Sequence, residues 1–240
     1  MQKILIIQVE VGGTGGYVYN PDVSPDAKEA SKLFGKLTTT VERYCEKHGY
    51  DYRKINEYPK DLDITYFNYS SKGESYDFST GGKNKCSTLI RYLNMFDDDY
   101  DAIVTLDNDI WIPTWAEPLP EIKGHMAVQD RGKVWNAPHH GKFVNGGVQM
   151  VDRKTGKSLK DFVLDKCKKK IVPSPHTDQA YMNEWRSQNP LQSHVIDDKW
   201  NWMVDCHGRR FEYRDCNFVH YAGWGGRGIF VDDLAMGVIK

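Results

Sequence analysis

"YDAIVTLDNDIWI", residues Tyr100 to Ile112, decides how this chain is read. Ala102-Ile103-Val104-Thr105-Leu106 is a short, largely apolar run of the kind that fills a buried strand. It ends at Asp107-Asn108-Asp109, and apolar residues resume at Ile110. Side chains alternate along an extended chain, so Asp107 and Asp109 can face the same small volume. Two carboxylates there repel each other unless positive charge lies between them. Hard oxygen ligands at this spacing suit Mg²⁺ or Mn²⁺ held jointly with substrate phosphates. Acidic pairs also arise as turn caps, and it is the position after a buried run that lifts this one above chance.

Working outward, "KILIIQVEV" (Lys3 to Val11) is another apolar, β-branched run and predicts a buried strand. The "VGGTGGY" that overlaps its end has neither the Lys-Ser/Thr of a P-loop nor the spacing G-x-G-x-x-G, which leaves a plain turn or a mobile loop over a cleft. "SPDAKEASKLFGKLTTTVERYCEKHGY" has Ser24 as a cap, Pro25 in the first turn and periodic Leu33, Leu37, Val41 and Tyr44. It predicts a helix loosened near Gly35 and ended by Gly49, with "DYRKINE" as a second strand. Tyr58 to Gly82 reads as a long polar and aromatic loop. "KNKCSTLIRYLNMF" predicts a helix running into the acidic turn Asp97 to Asp99. The order strand, helix, strand, helix, strand predicts an α/β fold, in which ligands bind beyond the carboxyl ends of the strands.

Downstream, "GHMAVQD" (Gly124 to Asp130), "KFVNGGVQMVDR" (Lys142 to Arg153) and "NFVHYAG" (Asn217 to Gly223) predict short strands. Helices are expected over Thr155 to Lys168, where the terminal lysines suit the macrodipole, and from "HTDQAYMNEWRS". With no internal repeat and no linker, residues 1–240 are expected to form one domain.

Composition limits the function. Lys and Arg number 32 and Asp and Glu 33, so no net field draws in nucleic acid or a membrane surface. No apolar run approaches the roughly 20 residues of a membrane span, and Met1-Gln2-Lys3 leads straight into a strand. The expectation is a soluble, cytoplasmic protein. Its five cysteines are scattered without a C-x-x-C pair, which argues against a disulfide framework or a zinc knuckle.

Four ordered segments resemble the nucleotide-sugar-dependent glycosyltransferases of the GT-A fold, with the retaining families 8 and 34 as the nearest pattern. They are "YDAIVTLDNDIWI", "FVNGGVQMVDR", "HTDQAYMNEW" and "FVHYAGWGGRG". The resemblance implies a mixed sheet flanked by helices, with residues 1–110 as a nucleotide-binding half. Residues 111–240 would then form the donor-sugar and acceptor half, with a C-terminal metal and diphosphate segment. It assigns Asp107, Asp109 and His220 to a metal, Mn²⁺ with Mg²⁺ as the alternative. Val9, Lys85, Asp107, Asn108, Asn145, Gly146, Gly147, Gly223 and Arg227 would bind the nucleotide sugar, and Asp178 and Gln179 would meet the sugar as catalytic residues. Arg227 stands where the family has a lysine, and the glycines of "GWGGRG" suggest a flexible segment able to fold over the donor.

The implied partners are a nucleotide sugar, by family frequency a UDP-sugar, and a glycan, glycoprotein or lipid acceptor. Each assignment has a structural alternative. Asn145-Gly146-Gly147 would serve as a hairpin turn, Asp178 as a helix-start residue and His220 as a core histidine. His139 and His140 are adjacent and point oppositely if extended, so they read as loop residues rather than a metal pair. Trp111, Trp115 and Trp224 suit either sugar stacking or packing. A sugar-nucleotide pyrophosphorylase would need a basic residue in its glycine loop, which "GGTGGYVYNPD" lacks. A non-catalytic carbohydrate-binding protein would need no metal and diphosphate clamp.

Overall fold

The computed structural model describes residues 2–9, 33–56, 90–130, 143–169, 177–208 and 213–239. The glycine loop after Val11, the long loop from Tyr58, Lys85 and the His139-His140 pair lie outside these residues, as do the side chains of Asp178 and Trp224. Chain order is β1 (Ile4–Val9), α1 (Gly35–His48), β2 (Asp51–Ile55), β3 (Ala102–Leu106), β4 (Ile110–Trp111), β5 (His125–Gln129) and β6 (Val144–Asp152). There follow α2 (Arg153–Lys168), α3 (Thr177–Gln188), β7 (Ser193–Ile196), β8 (Trp202–Met203), α4 (Val204–His207), β9 (Val219–His220) and α5 (Gly223–Ala235).

Six strands form one mixed sheet in the order β2-β1-β3-β6-β5-β7. β2, β1 and β3 run parallel, β6 is antiparallel to both β3 and β5, and β7 is parallel to β5. β1 and β3 are buried along their whole length, as strands covered on both faces must be. Leu5, Ile7 and Ile103 point into a core with Ile90, Tyr92, Leu159, Tyr181 and Trp185. Their neighbours Ile4, Ile6, Val104 and Leu106 point the other way, toward Val41, Tyr44 and Phe218. The two-residue alternation thus puts α1 on one face of the sheet and α2 and α3 on the other.

A second, three-stranded sheet in the order β4-β9-β8 is built where the chain leaves β3. It packs with α4 and α5 through Trp111, Trp202, Val204, Tyr213, Tyr221 and Phe230. Among the described residues no helix is long and apolar enough to cross a membrane.

The expected elements that fall on the described residues are present with local differences, and the first half of "KNKCSTLIRYLNMF" lies outside those residues. The expected helix start at Ser24 and Pro25 lies outside the described residues; α1 covers Gly35–His48, and Gly49 closes it at a φ of +71°, a left-handed conformation that favours glycine. Asn145-Gly146-Gly147 lies inside β6 rather than in a hairpin turn. The strand expected over Asn217 to Gly223 shrinks to two residues, because the N–H groups of Asn217 and Phe218 both donate to the Lys199 carbonyl (2.7 and 3.0 Å).

The glycine-rich segment from Gly223 is helical, not the flexible loop its composition suggests. Tertiary contact outweighs glycine's poor helix propensity there. A Cβ at Gly226 would come within 2.5 Å of the Tyr221 carbonyl carbon, so glycine permits the close approach. Further along α5, the buried Asp233 accepts hydrogen bonds from Tyr213 and Tyr221 (2.8 and 3.0 Å).

Gly156 in α2 shows the same principle with an unusual sign. Alanine for a helical glycine ordinarily stabilises by up to about 1 kcal/mol. A Cβ at Gly156, however, would overlap the Met95 carbonyl oxygen and lie 3.2 Å from Val151 Cγ2. Gly156→Ala should therefore destabilise by about 1–3 kcal/mol. Gly35→Ala, with open space around the new methyl, should lose nothing. Urea denaturation of the two variants checks this, and a gain in stability for Gly156→Ala would contradict the packing of α2 on Met95.

Candidate active site

Three elements pin the backbone of the Asp107-Asn108-Asp109 turn. The Asp107 N–H donates to the Gly147 carbonyl of β6 (2.8 Å), and the Asp107 carbonyl accepts from Gln8 Nε2 of β1 (3.1 Å). Gln8, fully buried, is itself satisfied by Tyr52, whose hydroxyl donates to Gln8 Oε1 (2.9 Å). Asn108 Nδ2 donates to the carbonyl of Val9, tying the turn to the end of β1 (3.1 Å). The Asp109 carbonyl accepts from Tyr221 N (3.0 Å). That last bond continues the antiparallel pairing of β4 with β9, in which Ile110 faces His220.

Pairing across the second sheet therefore delivers His220 to the two carboxylates. Its Nε2 lies 3.1 Å from Asp109 Oδ1 and 3.7 Å from Asp107 Oδ2. One ligand atom from each of Asp107, Asp109 and His220 falls within 4.8 Å of those of the other two. The remaining oxygen of Asp107 is ion-paired with Arg91, whose other terminal nitrogen donates to the Gly146 carbonyl (2.5 Å). On the far side of the His220 ring, Nδ1 lies 2.9 Å from Asn201 Oδ1.

The electrostatics follow from burial and proximity. Burial opposes the charged forms of both His220 and Asp109, but attraction outweighs it. Asp109 and then Asp107 hold the imidazole above its usual 6.5. His220 and then Arg227 hold the Asp109 carboxyl below its usual 3.8. Asp109 Oδ1 is buried and lacks a hydrogen bond of good geometry, the His220 nitrogen being its near neighbour. Two carboxylates and an imidazole aimed at one point form a donor set that fits a divalent cation, and the nitrogen suits Mn²⁺ better than Mg²⁺.

Of the other expected residues, those that are described take the following places. Gly147 must be glycine, because a Cβ there would overlap Cε1 and Nδ1 of His220 and crowd Asn145 Oδ1 at 2.9 Å. Asn145, 7% exposed, turns its amide oxygen toward Gly147 N (2.8 Å) and Asn201 Nδ2 (2.9 Å). Gln179 lies in the first turn of α3, which is docked beside the start of β6. There Asn183 accepts from Val144 N (2.9 Å) and donates to its carbonyl (3.1 Å). Gly223, at a φ of +67°, begins α5, and Arg227 one turn on is buried with its guanidinium 5.8 Å from the Phe34 ring centroid. Trp111 is a core residue, whereas Trp115 is 43% exposed.

Two residues escaped the sequence reading. Arg91 stands between Ile90 and Tyr92, and a lone cation among apolar helix residues was the signal for a buried partner. Asn201 sits between Trp200 and Trp202, where nothing local distinguishes it from a turn residue.

No family model matches the chain, and no curated protein sequence is similar enough to match it. Solved structures do match. One is a glycosyltransferase involved in glycosylation of the major capsid of PBCV-1, 14% identical, with 96% of this chain and 99% of that chain aligned at a TM-score of 0.54. Another is the galactosyltransferase LgtC in complex with donor and acceptor sugar analogues. It is also 14% identical, with 97% of this chain and 95% of that chain aligned at a TM-score of 0.51. At such identity the likeness is one of architecture, and it is clear: the chain has the GT-A glycosyltransferase fold.

The site predicts a pH dependence that metal reverses. A histidine whose pKa is raised by folding contributes stability that is full below its unfolded value, near 6.5, and is lost as pH climbs through the raised one. Asp109, lowered, contributes above its unfolded value and loses that contribution as pH falls through the lowered one. Metal-free protein should thus lose stability as pH rises through the raised His220 value. With Mn²⁺ the stabilisation should instead grow over that range, because the imidazole must release its Nε2 proton to bind a cation. Melting temperatures from about pH 5 to about pH 9, with Mn²⁺ and with chelator, check this. Parallel curves would remove His220 from the cation.

Proposed function

We propose that this protein is a metal-dependent glycosyltransferase. It moves a hexose from a nucleoside diphosphate sugar, by preference a UDP-sugar, to an acceptor hydroxyl with retention at the anomeric carbon. The observation that carries the reading is the convergence of Asp107, Asp109 and His220 at the edge of a GT-A sheet. LgtC, one of the structures it resembles, was solved with donor and acceptor sugar analogues.

In this reading Asp107, Asp109 and His220 hold Mn²⁺, which supplies Lewis-acid stabilisation to the diphosphate leaving group. Arg91 fixes the Asp107 carboxylate through one oxygen, leaving the other toward His220. The start of α5 carries no acidic residue in its first turn and presents backbone N–H groups to an anion, with Arg227 behind it. Val9, Asn108 and Lys85 serve the nucleotide, and Asn145, Gly146 and Gly147 line the donor-sugar pocket. Asp178 and Gln179, at the start of α3, orient the sugar and stabilise its oxocarbenium-like transition state. The acceptor hydroxyl attacks from the face the diphosphate leaves, and its proton passes to the departing phosphate oxygen.

Calorimetry with UDP, GDP and CDP, each with Mn²⁺ and with chelator, tests the donor class. One nucleotide should bind measurably, and only with metal; equal binding of all three in both conditions would overturn the reading. Binding of sugar alone, with no effect of UDP and Mn²⁺ on the melting temperature, would favour a carbohydrate-binding protein. In an active preparation, Asp178→Asn should leave donor binding nearly intact and lower kcat by at least about tenfold, as loss of a transition-state contact does. Unchanged kcat in the folded variant would make Asp178 a structural residue.

A further inference from the structure

Asn201 is fully buried, makes side-chain contacts on both sides and belongs to no assigned role. Its neighbours determine its orientation. The backbone N–H of Gly147, which can only donate, points at Asn145 Oδ1 (2.8 Å), so that atom is an acceptor. The group of Asn201 that meets the same oxygen at 2.9 Å must then be its NH₂. Its carbonyl oxygen, left over, faces His220 Nδ1 at 2.9 Å. An oxygen with only lone pairs there requires a proton on Nδ1. The neutral ring is consequently the Nδ1–H tautomer, and its one lone pair lies on Nε2, toward Asp109 and Asp107.

We propose that Asn201 is a positioning residue for the metal centre: through the chain Gly147 N–H, Asn145 Oδ1, Asn201 and His220 Nδ1 it fixes the tautomer and ring plane that deliver Nε2 to a divalent cation. The inference rests on the metal-site reading above for its purpose, but not for its geometry. Gly147 contributes twice, donating the first hydrogen bond of the chain and leaving room for the ring itself. Backbone contacts hold Asn201 in register: its N–H donates to the Asp198 carbonyl (3.0 Å), while Trp202 N donates to the Phe218 carbonyl (2.9 Å). To hold a cation the imidazole would have to release any Nε2 proton to solvent, while its Nδ1–H stays hydrogen-bonded to Asn201 Oδ1.

The test has two arms. Long-range ¹H–¹⁵N correlation on metal-free wild-type protein, above the pH at which the ring is neutral and with His220→Gln assigning the signal, reads the tautomer. Nδ1–H is expected, and Nε2–H would overturn the proposal whatever the metal does. Electron paramagnetic resonance with Mn²⁺ alone then compares wild type with two variants. Asn201→Ala should weaken Mn²⁺ by about ten- to a hundredfold, the usual effect of losing the partner of a metal-bound histidine. Asn201→Asp keeps an oxygen on Nδ1 and should retain most of the affinity. A packing role would leave the ring tautomer of Asn201→Ala as it is in wild type, whereas loss of the Nδ1 acceptor should let Nε2–H appear in its long-range ¹H–¹⁵N correlation. Equal affinity for wild type and Asn201→Ala would also overturn it. If wild type binds no Mn²⁺ but shows the Nδ1–H tautomer, the metal-site reading and the proposed purpose fail together, while the tautomer assignment stands.

Discussion

Everything at the site depends on one structural fact: Asp107-Asn108-Asp109 is the hinge by which the chain passes from one sheet into another. On its amino side the turn continues the β3–β6 ladder, through the bond from Asp107 N to the Gly147 carbonyl. On its carboxyl side it opens the β4–β9 ladder, through the bond from Tyr221 N to the Asp109 carbonyl. Both ladders are antiparallel, and a slip of one residue in either would turn every side chain to the other face. Register in the first ladder puts Gly147 beside Asp107, and register in the second pairs His220 with Ile110, the residue next to Asp109. A cluster drawn from three distant parts of the chain thus inherits its precision from backbone hydrogen bonds, the most rigid scaffold a protein has.

The charges within that frame are balanced by local partners. Two carboxylates two residues apart would repel in isolation, and the fold answers with Arg91 on Asp107 and with His220 and Arg227 on Asp109. A second buried histidine shows that burial alone does not decide the outcome. His125, also fully buried, faces Arg186 Nη1 at 2.6 Å, and a guanidinium can only donate. Its ring must therefore be neutral, with Nε2–H toward Gln149 Oε1 (3.3 Å). Burial, and then Arg186, push its pKa down to about 3. The same residue type, equally hidden from water, is driven one way by a cation and the other by carboxylates. Only the second arrangement offers a cation a place to bind.

The small residues of the site have a common explanation in approach distance. Gly147 yields space to His220, and Gly226 yields space to the Tyr221 backbone, so that β9 is bracketed by glycines on two different elements. Between them the His220 ring is confined to one slot, with Asn201 behind it and the carboxylates in front. Among the described residues, the ring nitrogen facing the carboxylates has Asp109 Oδ1 and Asp107 Oδ2 as its neighbours, at 3.1 and 3.7 Å.

Much of this was legible in the sequence, and the physical reason is locality. Strand-length apolar runs, the capping of α1 by Gly49, the α/β order and the acidic pair at the end of β3 depend on residues close together in the chain, so pattern alone determined them. The resemblance carried by four ordered segments extended this to His220 and to the Asn145-Gly146-Gly147 run. What only the tertiary structure decided is which way each group faces and what it touches. Glycine-rich "GWGGRG" reads as flexible, yet becomes α5 because its contacts with the Tyr221 backbone and with buried aromatics outweigh propensity. Arg91 meets Asp107 because packing of its helix against the sheet edge sets that partnership. Asn201 carries no local signature at all. Its importance arises from hydrogen bonds to residues 56 positions before it and 19 after it, and contacts at such separations exist only once the two sheets have closed on each other.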